Sequence, residues 1–180
     1  MNRCLLFNPP GALSVYGKSK VKVAIPKLPS MSLAMIAGSL LEEGFDVRIL
    51  DLMLSDSKEA ECIARRQISE FKPDIVGVTA TTPLFYEAAQ ISDIAKMVSR
   101  DILTILGGPH ASALPVDSLQ ESSFDVVVAG EGEIAIKEIV KNSSLEGIEG
   151  LYCKKYIDRK TSPSEIKKTY TIPMDVLPLP

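Results

Sequence analysis

The stretch TILGGPHASALP, residues 104–115, brings two adjacent glycines, two prolines and the only histidine of the chain together directly after an apolar run. Gly107 and Gly108 serve either a turn that needs positive φ or a backbone left bare so that a bulky ligand can approach closely. His110 has three open roles: structuring its loop, contacting a ligand, or ligating a metal. Neither a Ser/His/Asp set nor a metal-ligand cluster surrounds it in sequence. Thr79, Thr81, Thr82 and Ser112 add hydroxyls in neighbouring loops, and such groups suit a large ligand carrying amides and phosphate.

Other chemistries fit these residues less well. GEGEIA (130–135) matches Gly-x-Gly-x-x-Ala, and Asp51 is an acid of the kind that ends the second strand of a dinucleotide site. The glycine motif follows the last strand rather than the first, however, and Glu131 and Glu133 would repel a pyrophosphate. Those two glutamates suit a helix N-terminus better than an acid/base pair. The loop after the first strand, NPPGALSVYG (8–17), has neither the acidic cluster of a response-regulator receiver nor the hydroxyl-rich phosphate loop of a flavodoxin. Lysines 18, 20, 22 and 27 read as a solvated loop face. Cys4, Cys62 and Cys153 are few, odd in number and far apart, so they read as small buried hydrophobes in a reducing compartment.

The elements that must position these residues alternate regularly. CLLF (4–7), DVRILDL (46–52), DIVGVTA (74–80), LTIL (103–106) and DVVVA (125–129) are continuous apolar runs, as expected of parallel strands covered on both faces. Between them, 30–44 is a helical pattern stopped by Gly44, and 55–73 opens on capping residues and closes at Pro73. Helical spacing recurs over 82–100 and 132–142, and PVDSLQ (115–120) reads as a short turn. GLYCKKY (150–156) is a candidate sixth, edge strand, its lysines fitting that position. From 159 to 180 the chain is polar and then proline-rich, a linker pattern, so the domain is expected to span 1–158. In a right-handed βαβ series every loop that follows a strand emerges on the same sheet edge, where ligands of open α/β sheets bind.

At 180 residues, 46% apolar and 24% charged, the chain has the size and composition of one ordinary globular domain. A net charge of -3 gives no basic surplus for nucleic acid. The longest apolar stretch, MSLAMIAGSLL, is too short to cross a bilayer, so the expected location is the cytoplasm.

Taken together, LLFNPP, LPSMSLAMIAGSLLEEGFDVRILDL, KPDIVGVTATTP, ILGGPHAS, DVVVAGEGE and the closing LPLP resemble one family. This is the cobalamin-binding domain at the N-terminus of many radical S-adenosylmethionine enzymes. The resemblance covers nearly the whole chain, and the pairing of LGGPHAS with GEGE carries most of its specificity. It implies a flavodoxin-like α/β fold with cobalamin as ligand, the nucleotide tail lying along the strand edge near Thr79, Thr81, Gly107 and Gly108. Asn8, Pro9 and Pro10, with Gly130, Glu131 and Gly132, would border the corrin or a partner domain. Thr82, His110 and Ser112 complete the expected contacts.

Two departures shape the expectation. Cobalamin methyltransferases and mutases carry Asp-x-His-x-x-Gly after the first strand, and here that loop has no histidine, so the cofactor is expected base-off with no protein histidine on cobalt. The Cys-x-x-x-Cys-x-x-Cys of a radical domain is also missing, so the iron–sulfur cluster, S-adenosylmethionine and catalysis are expected in a domain beyond Pro180. The expected function is to position cobalamin for that partner, in a methyltransferase or an oxidoreductase/cyclase, with no catalysis by this domain alone. A cofactor-free interaction module of the same fold is the alternative, and a nucleotide-dependent enzyme using GEGEIA and Asp51 is the least favoured reading.

Overall fold

The computed structural model describes residues 2–11, 29–142 and 144–156. The loop segment 12–28, including the four lysines, and the linker expected over 159–180 lie outside the described residues.

Five parallel strands and one antiparallel strand form a single sheet in the order β2-β1-β3-β4-β5-β6. They are β1 Arg3–Asn8, β2 Asp46–Asp51, β3 Ile75–Thr79, β4 Leu103–Gly107, β5 Val126–Val128 and β6 Leu151–Cys153. The order of the first five is the flavodoxin-like doubly wound order, whose topological switch point lies between β1 and β3. The possible edge strand is therefore real, and it runs antiparallel to β5.

The helices are α1 Met31–Glu42, α2 Ser57–Phe71, α3 Phe85–Val98, α4 Pro109–Ala113, α5 Pro115–Gln120 and α6 Gly132–Lys141. The hydroxyl of Ser30 caps α1 through the Leu33 N–H at 3.4 Å, and the Asp56 carboxylate caps α2 through the Glu59 N–H at 2.9 Å. Gly44 stops α1 at φ 79°, and Lys72 ends α2 in the left-handed region at φ 50°, just before Pro73. Two expectations need correction. The residues after Gly108 form the short helix α4, and PVDSLQ is the helix α5, because Pro109 and Pro115 each fit a first helical position.

Successive residues of a strand point to opposite faces, and the core divides accordingly. Leu5, Phe7, Val76, Val78, Leu106 and Val127 pack beneath α2 and α3. Cys4, Leu6, Ile75, Ile105, Val126 and Val128 pack on the other face with α1 and α6. Cys4 and Cys153 are buried there, and burial raises both thiols above their ordinary value, Cys4 strongly. Cys62 departs from the expected pattern: it is exposed on α2.

Candidate functional site

The second face is incompletely filled. On β3 the residues that point to it are Ile75, Gly77 and Thr79, and on β4 the register places Gly107 beside Thr79 and Ile105 beside Gly77. Two glycines thus stand in adjacent strands where core side chains would otherwise be. A slot of about 330 Å³ opens above them, within the usual range for small-molecule sites. Its floor is Leu6, Ile75, Gly77, Ile105 and Gly107, and Leu33 and Ile36 of α1 with Ile136 of α6 form its roof. Ser32, Thr79, Gly108, Gly130, Glu131, Gly132 and Glu133 surround its mouth at the C-terminal edge of the sheet.

The glycines have different reasons to be there. A Cβ on Gly107 would meet nothing within 4 Å, so this glycine keeps the slot open. Gly108 has φ 93°, and a Cβ there would lie 2.6 Å from Thr79 Oγ1 and 3.0 Å from the Ala80 carbonyl, so the backbone itself requires glycine. At Gly77 a Cβ would come within 2.7 Å of Leu6 Cδ2, and at Gly132 within 2.7 Å of Ile36 Cδ1. Gly132 therefore lets α6 approach α1 closely, and Lys137–Glu42 and Lys141–Glu43 ion pairs join the same two helices at 2.5 and 2.7 Å.

Of the residues singled out in sequence, Thr79, Gly107, Gly108, Gly130, Glu131 and Gly132 line the slot. The others share the edge without lining it. Ser112 Oγ donates to the Gly108 carbonyl at 3.2 Å and accepts from the Gly130 N–H at 3.0 Å, which ties the loops after β4 and β5 together. Asn8 Nδ2 donates to Asp51 Oδ1 at 3.0 Å, and Pro9 and Pro10 are buried. Thr81 and Thr82 are exposed at the start of the turn into α3. His110 is only 5% exposed; its ring lies 4.3 Å from that of Phe85, and its Nδ1 is 3.2 Å from Thr82 Oγ1. It structures the corner, and burial lowers its pKa below the ordinary 6.5 despite the opposing charges of Asp117 and Glu121.

The apolar walls were not legible as a site. Leu6, Leu33, Ile36, Ile75, Ile105, Val128 and Ile136 read in sequence as ordinary core, but a glycine inside a strand run, as in DIVGVTA, weakens the strand and marks a close approach. That was the available signal for Gly77.

The nucleotide reading loses its geometry. Asp51 ends β2 and GEGEIA follows β5, with three strands between them, which puts roughly 19 Å of sheet between the acid and the glycine turn. Among the described residues no group of three or more His, Cys, Asp or Glu side chains could hold a metal ion, and no helix is long and apolar enough to cross a membrane.

Comparison with known proteins agrees with the fold. Residues 21–140 match the family model described as the B12 binding domain. An uncharacterized methyltransferase of Pyrococcus horikoshii, PH0819, is 35% identical over 161 residues, 84% of this chain and 34% of the relative. The anaerobic magnesium-protoporphyrin IX monomethyl ester cyclase of Rubrivivax gelatinosus is 40% identical over 114 residues, 62% of this chain and 20% of the relative. The hopanoid C-3 methylase of Methylococcus capsulatus is 28% identical over 127 residues, 67% of this chain and 23% of the relative. The chain thus spans about a third or less of the length of these relatives. With two thirds of its residues inside the matched segment and a slot carved at the switch-point edge of a flavodoxin-like sheet, the chain belongs to the B12-binding domain family.

Proposed function

We propose that this domain holds cobalamin base-off and presents it to a radical S-adenosylmethionine domain that follows it in the chain, in a cytoplasmic enzyme of the methyltransferase or cyclase type. The observation that carries this reading is the slot itself. Its open space above Gly107, its bare strand at Gly77 and its apolar walls fit the nucleotide tail of a cobamide, and its mouth offers the Thr79 hydroxyl and glycine backbone to the polar part of that tail. The names of the relatives, two methyl-transferring proteins and a cyclase, support the reaction class.

Bound cobalamin would supply methyl-transfer or redox chemistry at cobalt. The chain's own residues bind and orient. Gly107 and Gly77 admit the tail; Gly108, with Ser112 bridging it to Gly130, fixes the rim; and Ile36, Ile105 and Ile136 exclude water from the slot. The single histidine is buried against Phe85 and Thr82 and does not line the slot, which supports a cobalt without a protein histidine. Met31, Leu54, Tyr86 and Leu114 are exposed apolar side chains in the loops and helix starts of the slot's edge, with Met31 at 62% and Tyr86 at 69%, and this supports docking of a partner domain there.

The test is retention of hydroxocobalamin after desalting, followed by its visible spectrum, for the wild-type chain and a Gly107→Leu variant. A retained base-off spectrum that the variant loses supports the reading. A wild-type chain that retains no cobalamin would refute it and leave the cofactor-free module.

A further inference from the structure

The slot differs from top to bottom. From Thr79 at its mouth to Ile75 at its deep end is four residues of strand, about 13 Å. The side-chain hydroxyls and carboxylates that line it, those of Ser32, Thr79, Glu131 and Glu133, belong to the mouth residues. Deeper down the lining side chains are leucine, isoleucine and valine. The backbone offers little there, because β3 is hydrogen-bonded on both sides, with Gly77 paired to Leu6 of β1 and to Ile105 of β4. A group that reaches the bottom of the slot therefore leaves its hydrogen bonds to water and finds few replacements.

Cobamides differ in the base at the end of their tail, and the proposal rests on the cobalamin reading above. We propose that this slot selects among cobamides by that base, accepting a benzimidazole-type base and rejecting a purine. A dimethylbenzimidazole brings an apolar ring and two methyl groups to walls of Leu33, Ile36, Ile75, Ile105 and Ile136, with a single free ring nitrogen. Adenine carries an exocyclic amino group and further ring nitrogens, and each of these goes unpartnered against the same walls. The selecting residues are the isoleucines, and the mouth is indifferent because the tails are alike outside the base.

The experiment is equilibrium dialysis of the purified chain against three ligands: hydroxocobalamin, the corresponding cobamide with adenine as its base, and cobinamide, which lacks the tail nucleotide. The expected order is cobalamin tightest, the adenine cobamide weaker by at least about tenfold, and cobinamide weaker than cobalamin. Equal binding of the two complete cobamides, or tighter binding of the adenine form, overturns base selection while leaving the tail site standing. Cobinamide binding as tightly as cobalamin overturns it because the tail then contributes nothing in the slot. Failure to bind any of the three removes the cobalamin reading itself, and the selection with it.

Discussion

His110 Nδ1 lies 3.2 Å from Thr82 Oγ1, joining the short helix after β4 to the turn that opens α3. The ring of Phe85 lies tilted against the imidazole at 4.3 Å, and burial lowers the pKa of His110. An unfolded chain takes up the proton near pH 6.5, and the folded chain does so only at lower pH. The stability due to His110 is therefore complete above about 6.5 and is lost as pH falls from there through the folded value. Urea midpoints of the wild-type chain should drop between pH 7.5 and 5.5 by more than those of His110→Gln. Parallel pH profiles for the two proteins would show that the ring is solvated.

The adjacent glycines after β4 should respond in opposite ways. Gly107→Leu places its side chain in open space at an ordinary backbone conformation, so folding stability should stay within about 1 kcal/mol of wild type while cobalamin retention falls at least tenfold. Gly108→Ala imposes a Cβ at φ 93° against Thr79 and Ala80 and should cost roughly 1–3 kcal/mol in urea unfolding. If Gly107→Leu proved the more destabilising of the two, the assignment of the open space would be wrong.

At the opposite edge of the sheet, one carboxylate organises the β4–β5 junction. Asp125 Oδ2 accepts from Lys96 Nζ at 2.5 Å, from the Thr104 N–H at 2.8 Å and from Thr104 Oγ1 at 2.9 Å. Asp125→Ala leaves the Thr104 N–H without its acceptor where β5 is only three residues long, while Lys96 Nζ keeps the Ile102 carbonyl at 2.6 Å and Thr104 Oγ1 keeps the Ser123 carbonyl at 3.0 Å, so a loss of about 1–3 kcal/mol in denaturant unfolding is expected. Asp125→Asn, which keeps an acceptor, should lose less. Equal losses would mean that the charge, and not the hydrogen bonds, holds the junction.

Ser39 on α1 is fully buried, and its hydroxyl has no hydrogen-bond partner among the described residues. Removing an unsatisfied buried hydroxyl relieves a desolvation cost, so Ser39→Ala should leave stability unchanged or raise it by up to about 1 kcal/mol. A clear drop in thermal midpoint would show that the hydroxyl is paired in solution.

The fold was legible because its signals are local and redundant. The runs at 4–7, 74–80 and 103–106 are apolar without alternation since both faces of β1, β3 and β4 are covered, and Gly44 and Pro73 mark helix ends where the backbone needs them. β2 is the exception: Asp46, Arg48 and Asp51 interrupt its apolar residues, and it is largely exposed at the sheet edge. The site was only half legible. Glycines at the mouth stand out in sequence because their conformations are special, as at Gly108. The slot's walls do not, because Ile36, Ile105 and Ile136 have the same residue types and spacing whether they close on each other or on a ligand. His110 attracted attention as the only imidazole, and its role follows from Phe85, twenty-five residues earlier, a contact no spacing rule gives.

The reversal of β6 has a consequence for where the described chain ends relative to the slot. β5 runs toward the slot's mouth and β6 runs back, so that the Lys154 N–H donates to the Asp125 carbonyl and its ammonium to the Ser122 carbonyl, beneath the sheet rather than above it. The last described residues, Lys154–Tyr156, thus lie at the end of the sheet remote from the opening. From there to the level of the mouth is the length of a five-residue strand, about 13 Å. The strand reversal thus puts the slot's opening and the last described residues at opposite ends of the sheet, so that β6 steers the chain away from the opening instead of across it.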